Sequence, residues 1–339
     1  MLRLLIVRLS AIGDVIHGMP IACALRRRFP EAMLTWAVEQ RAAELLDGHA
    51  ALDHRIVLPR GWLRSPTTVW RLRRQLRELR FDVAIDAQGL TKSAVVAWLS
   101  GARRRIGLGG TWGRELSPWL NTERIEADDL HAVDRGLRLL RPLGIESPEV
   151  RFEVPDPPAA GAAADAIVLT QRLEGGFVLI TSGAGWPSKL WPLDRYAAVA
   201  VHLGRNWGLP SLLIWGNAEE RGRAERIAEQ SEGFARLAPK MTLLELAALA
   251  RRARICLGSD TGPLHLAAAV GTPCVGLYGP WPAEKHGPYG PQHVTVQKMV
   301  LDGTTRERRR ASSIYMDAID VPAVCAACDG RLRLRNAPP

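Results

Sequence analysis

The sequence of 339 residues has no apolar run approaching the ~20 residues that a membrane-spanning helix needs. The best candidate, Leu266 to Tyr278, is short and interrupted by Gly271 and Pro273, so a bilayer-crossing segment is not expected. A secretory signal is not expected either: Met1 to Arg8 carries arginines inside its apolar stretch and offers no small-residue cleavage site. A cytoplasmic location is the expectation. Cysteine is scarce, and five is an odd number for a disulfide framework; Cys23, Cys256 and Cys274 stand in apolar segments, as small buried thiols do. Cys325 and Cys328 make a single CxxC with no second pair to complete a structural zinc site. No Walker sequence and no Asp-x-Asp pair occurs, and Gly107, Gly109, Gly110 and Gly113, although spaced GxGGxxG, do not read as joining a hydrophobic strand to a helix. No metal and no cofactor is expected.

What is present is the composition of an ordinary globular protein, 47% hydrophobic and 24% charged. The length exceeds what one core usually supports, which predicts two domains of roughly 150 residues each. The net charge of +10 is uneven: from Arg55 to Arg105 twelve Lys/Arg stand against Glu78, Asp82 and Asp86. Such a face suits a nucleic acid, an anionic membrane surface or a phosphorylated substrate, and equally a solvated helix face. No nucleic-acid motif accompanies it, so nucleic acid is not an expected partner.

Short apolar runs alternate with helical patterns. Strands are predicted at Leu2 to Arg8, Met33 to Val38, His54 to Leu58 and Asp82 to Asp86, with helices over Asp14 to Arg28 and Thr67 to Leu79. A Pro/Ala/Gly stretch from Val154 to about Ala164 reads as a linker. Strands then recur at Phe177 to Thr181, Ser211 to Trp215, Ile255 to Leu257 and Cys274 to Tyr278, with helices over Ala218 to Glu229, Thr242 to Arg251 and Gly262 to Ala269. The end after Arg331 reads as frayed. The fold class is α/β: two Rossmann-like lobes, each a parallel sheet wrapped by helices.

In open α/β sheets ligands bind beyond the carboxyl ends of the strands, so the loops there hold the candidates. Ser10-Ala-Ile-Gly-Asp14-Val-Ile-His17 sets Asp14 at a helix start; a catalytic carboxylate and a simple N-cap are both open. Thr181-Ser-Gly-Ala-Gly-Trp-Pro-Ser-Lys189 offers small residues and a mobile cation to a phosphate, or is an ordinary loop. The segment from Gly258 to Pro280 is the most specific. There Asp260 is expected to cap a helix beginning with Gly262 and Pro263, whose free N–H groups suit a diphosphate, with His265 on the first turn.

Five segments carry a resemblance: Val7-Arg-Leu-Ser-Ala-Ile-Gly-Asp14-Val-Ile-His-Gly-Met-Pro20, Phe81-Asp-Val-Ala-Ile-Asp86-Ala-Gln-Gly-Leu-Thr-Lys92-Ser, Pro187-Ser-Lys189-Leu-Trp-Pro192, Trp215-Gly-Asn-Ala-Glu-Glu220, and Ser259 to Pro280. Together they resemble the lipopolysaccharide heptosyltransferases of glycosyltransferase family 9, almost end to end. The resemblance implies a GT-B fold with parallel sheets facing a central cleft, an acceptor domain at 1–158, a donor domain at 165–310, and a closing segment at 311–339 packing back on the first lobe. It implies inverting, metal-independent transfer of L-glycero-D-manno-heptose from an ADP-sugar donor to the Kdo residue of a Kdo-lipid A acceptor, by a monomer held peripherally at the cytoplasmic face of the inner membrane. Carried over by position, Asp14 becomes the general base, while Lys189, Glu220, Asp260, Thr261, Gly262 and His265 bind the donor. Arg60, Arg64, Lys92 and Arg114 are the expected acceptor contacts. The alternatives are a family member with another sugar nucleotide or acceptor, and a sugar-nucleotide epimerase, which would need no acceptor.

Overall fold

A computed structural model describes residues 1–127 and 130–336. The chain divides into two compact units, Met1–Pro155 and Asp156–Pro339.

The first unit is built on six parallel strands: β1 (Arg3–Val7), β2 (Met33–Glu39), β3 (His54–Leu58), β4 (Val83–Asp86), β5 (Arg104–Leu108) and β6 (Glu123–Ile125), in the order β3-β2-β1-β4-β5-β6. β1 is a continuous apolar run, Leu4 to Val7 fully buried, because it lies mid-sheet with helices on both faces. The strand order reverses at β1/β4, where Val7 pairs with Asp86, and the loops leaving these two strands flank the crevice this topology creates. Trp36 on β2 is wholly buried; it packs on Gly18 of the helix Ile12–Arg28, and its indole N–H donates to the Arg8 carbonyl at 3.1 Å. Trp36→Ala is expected to cost about 3–5 kcal/mol, measured as a lowered urea midpoint, since it opens a large cavity and orphans that carbonyl.

The second unit repeats the plan with β7 (Val178–Thr181), β8 (Ser211–Ile214), β9 (Ala235–Leu237), β10 (Ile255–Ser259), β11 (Cys274–Tyr278) and β12 (Val294–Gln297), ordered β12-β11-β10-β7-β8-β9 and all parallel. Its order reverses at β7/β10, the counterpart of β1/β4.

Three expectations need correction. Most of the predicted linker is the start of a helix, Pro158–Thr170: Pro158 at the first position presets φ, and Ala160, Ala164 and Ile167 fall on one buried stripe. The end after Arg331, as far as the described residues go, is not frayed but continues the helix Val321–Asn336. That helix packs on β10, β11, β12 and the helix Leu193–Trp207 of the second unit. Val324, Cys325, Cys328 and Leu332 lie on its buried side and join the second core, which is the structural use of the CxxC. Burial pushes the Cys325 thiol up to about 11 and the Cys328 thiol higher still. The GxGGxxG glycines do follow a strand, β5, but lead into a single 3₁₀ turn, Gly110–Trp112. Two of them are required by packing: a Cβ on Gly107 would meet the Asn121 side chain at 2.0 Å, and one on Gly113 the Leu108 carbonyl at 2.3 Å.

His293 precedes β12, and its Nδ1 accepts the Cys274 N–H at 3.2 Å, which only an unprotonated nitrogen can do. Burial lowers its pKa to about 4, helped by the charges of His265 and Arg331 and opposed by a backbone hydrogen bond. Between about pH 6.5 and 4 the unfolded chain thus binds a proton that the native one refuses, and stability falls as pH falls through that window. His293→Gln is expected to flatten this segment of the stability-pH curve, read from urea midpoints of wild type and variant.

Candidate functional site

In the first unit the carboxyl edge of the sheet gathers polar groups around β1/β4. Asp14 sits in the first turn of its helix, one carboxylate oxygen accepting the Ala11 N–H at 2.9 Å, the reciprocal half of a capping box. The other oxygen accepts from Arg8 at 2.8 Å. Asp14 is thus a capping residue as well, yet its side chain remains 48% exposed whereas that of Arg8 is 6% exposed. Arg8 also donates to the Ala87 carbonyl, so one buried guanidinium ties the ends of β1 and β4 to Asp14. Gln88 reinforces the junction by accepting the Leu9 N–H at 2.9 Å and donating to the Ser10 carbonyl at 3.0 Å. Lys92 bonds Ser10 Oγ and Glu39 Oε1, each at 2.7 Å, and lies beside the same loop. Arg114 joins the neighbouring loop after β4, its backbone N–H donating to the Gly89 carbonyl at 3.0 Å. Arg60 and Arg64, by contrast, are exposed beyond β3 at the sheet's outer edge, two strands away from β1. His17 is buried and meets His131 edge to face at 5.5 Å.

In the second unit Lys189, Asp260 and His265 converge. Lys189 Nζ lies 2.5 Å from Asp260 Oδ2, and His265 Nε2 donates to Oδ1 at 3.0 Å, all three side chains being largely buried. Burial alone would raise the Asp260 pKa, but the charge of Lys189 and the His265 hydrogen bond outweigh it and hold the carboxyl well below the usual range. The expected capping role is corrected here. Thr261, not Asp260, occupies the N-cap of the helix Gly262–Ala269, because Asp260 is claimed by Lys189 and His265. Thr261 makes no side-chain cap, and its hydroxyl is buried without a partner among the described residues. Ser182 and Ser188 likewise bury unpartnered hydroxyls, and Trp281 an unpartnered indole N–H. These four groups, costly when dry, lie in the loops after β7, β10 and β11, the first of which also carries Lys189, and a polyoxygen ligand there would satisfy them. The Trp281 ring centroid is 4.7 Å from Lys189 Nζ.

Glu220 stands in the first turn of the helix Ala218–Gln230, and its Oε2 accepts the Gly216 N–H at 2.7 Å. It presses against the loop after β7 so closely that a Cβ on Gly183 would lie 2.7 Å from its carboxyl carbon, which accounts for glycine there. Among the described residues no three His, Cys, Asp or Glu side chains are grouped to hold a metal ion.

Sequence reasoning passed over Arg8, Gln88, Ser182, Ser188 and Trp281. Arg8 carried a signal, an arginine closing an apolar strand six residues before an aspartate. The two serines and the indole carry none, since only burial without a partner distinguishes them.

Comparison with known proteins follows the same lines. The profile described as Glycosyltransferase family 9 (heptosyltransferase) matches residues 69–314. Lipopolysaccharide heptosyltransferase 1 of Pseudomonas aeruginosa is 32% identical over 86% of this chain and 83% of its own length. A glycosyl transferase family 9 crystal structure from Veillonella parvula superposes with a TM-score of 0.85 at 23% identity, over 98% of this chain and 97% of that one, and shows a shared fold. The E. coli heptosyltransferase WaaC with ADP-2-deoxy-2-fluoro heptose gives a TM-score of 0.74 at 25% identity, over 97% of this chain and 99% of that one. With its two six-stranded parallel sheets of GT-B type and a profile match across most of its length, the chain belongs to glycosyltransferase family 9, the heptosyltransferases.

Proposed function

We propose that this glycosyltransferase moves L-glycero-D-manno-heptose from ADP-heptose to the Kdo residue of a Kdo-lipid A acceptor in the lipopolysaccharide inner core, with inversion. The observation that carries the reading is the Lys189–Asp260–His265 array with unpartnered buried donors in the adjoining loops, in a chain whose similar proteins are a lipopolysaccharide heptosyltransferase and one solved with an ADP-heptose analogue. The second unit is the donor domain in this reading. An ammonium has three donors and Asp260 occupies one, leaving Lys189 able to meet a diphosphate, joined by the Thr261 hydroxyl and the helix N-terminus at Gly262. Asp260 holds His265 and Lys189 in place, and Glu220 takes the nucleoside ribose through Oε1.

The first unit is the acceptor domain, with Asp14 as base. A carboxylate removes the hydroxyl proton late, as the attacking oxygen bonds an oxocarbenium-like anomeric carbon and gains acidity. The C–O bond to ADP breaks on the opposite face, and the departing diphosphate's charge falls on Lys189 and the helix dipole. Arg8 orients Asp14 through their 2.8 Å ion pair. Lys92 and Arg114, near the same junction, are the better placed of the four cations for acceptor carboxylate or phosphate; Arg60 and Arg64 serve a more distant part. No helix among the described residues is long and apolar enough to cross a membrane. A peripheral site at the cytoplasmic face of the inner membrane, as a monomer, completes the proposal.

The test is ADP release from ADP-heptose with and without Kdo-lipid A, beside a panel of other sugar nucleotides. Release that requires both partners is the expected result. Acceptor-independent conversion of the donor would favour an epimerase, and preference for another sugar nucleotide would overturn the heptose assignment.

A further inference from the structure

Next to the donor array lies a second cationic feature that the reaction above does not use. Trp186, Thr305, Arg306, Arg309 and Arg310 line an open cavity of about 420 Å³. Three of the five are arginines and none is acidic. Arg306, Arg309 and Arg310 are spaced i, i+3, i+4 and therefore share one face of the helix Thr305–Arg310, where like charges repel. Neither Arg306 nor Arg310 makes a hydrogen bond or ion pair with another described residue, and Arg309 lies over the Trp186 ring at 4.4 Å.

The helix is held so that this face stays open. Its only acid, Glu307, is turned back into a capping box, accepting the Thr304 N–H at 2.6 Å and the Thr304 hydroxyl at 2.8 Å. Arg308 points the other way, donating to the Leu301 carbonyl at 3.0 Å and lying 5.8 Å from the Trp281 ring that also faces Lys189. Trp186 itself is 40% exposed and immediately precedes the Pro187–Lys189 turn. An indole face beside three guanidiniums, in a volume within the usual range for small ligands, matches a phosphorylated sugar: ring on the indole, phosphate on the arginines. A nucleic acid would need a continuous basic track, and a flat lipid surface would need no cavity.

We propose that this cavity is a phosphate-binding subsite that holds a sugar phosphate of the acceptor beside the donor site. The identity of the phosphate's bearer rests on the heptosyl-transfer reading; the anion site itself does not. The test uses calorimetric titration of the full-length protein with deacylated, water-soluble Kdo-lipid A fragments, phosphorylated or enzymatically dephosphorylated, on wild type and on Arg306→Ala/Arg310→Ala. Wild type is expected to bind the phosphorylated fragment at least 10-fold more tightly, and the variant to lose that preference while binding ADP normally and keeping its Tm. A variant that retains the preference, or a wild type without one, overturns the proposal. So does arginine-dependent binding to phosphatidylglycerol vesicles with no preference between the fragments, which would make the face a membrane contact. Inorganic phosphate separates the two readings: binding to wild type and not to the variant upholds the anion site even if no heptose is transferred.

Discussion

Asp14→Asn is expected to lower kcat for heptose transfer by about 10²–10⁴-fold, the usual cost of removing a general base, while leaving the donor KM little changed. The asparagine amide keeps the shape of the side chain, and its oxygen still accepts the Ala11 N–H, so the helix start survives. What it loses is the capacity to take a proton, together with the charge facing Arg8. Asp14→Ala removes the cap as well and is expected to add a stability loss of about 0.5–2 kcal/mol, so the asparagine variant is the cleaner probe of chemistry. Activity within about threefold of wild type in Asp14→Asn, at unchanged Tm, would reduce Asp14 to the capping residue its geometry already makes it.

Lys189→Met is expected to do two separable things. It strips the donor diphosphate of its ammonium, raising the donor KM by about 10-fold to 10²-fold, the worth of one charge-assisted hydrogen bond of about 1.5–3 kcal/mol. It also leaves Asp260 ionised, buried and short of its main counter-charge, and breaking a buried pair from one side costs about 3–5 kcal/mol. Asp260→Asn in the same chain removes the stranded charge. The double variant is therefore expected to recover most of the lost Tm while transfer stays as poor as in Lys189→Met or poorer. Recovery of activity along with stability would show Lys189 to be a structural partner of Asp260 and not a donor contact.

How much of this was legible in the sequence follows from what each residue signals locally. Mid-sheet strands of unbroken apolar residues, such as Leu4 to Val7 and Val178 to Thr181, read correctly, and β3 was predicted with its observed ends. β5 was missed because it opens with Arg104 and Arg105, charges tolerated at an exposed strand start but opposite to a buried-strand pattern. β6 and β9, three residues each, and the edge strand β12 are too short or too polar to signal themselves. The predicted linker failed for a different reason: Pro, Ala and Gly mark a loop by composition, yet Pro followed by alanines is also a good helix start. At the site, the sequence placed Asp260 before a helix but could not tell that a lysine 71 residues away would take it from the capping role. Contacts that distant leave no local trace, and the same is true of Arg8 meeting Ala87 across the sheet.

In the proposed function Asp14 is the base for transfer of one heptose to the inner-core acceptor. The most direct measurement is mass spectrometry of the product formed from ADP-heptose and Kdo-lipid A by wild type and by Asp14→Asn, with ADP release followed in parallel. One added heptose, stoichiometric with ADP, is expected for wild type, and its near-complete loss in the variant. Absence of heptose from the wild-type product, with nucleotide released from a different sugar donor instead, would contradict it.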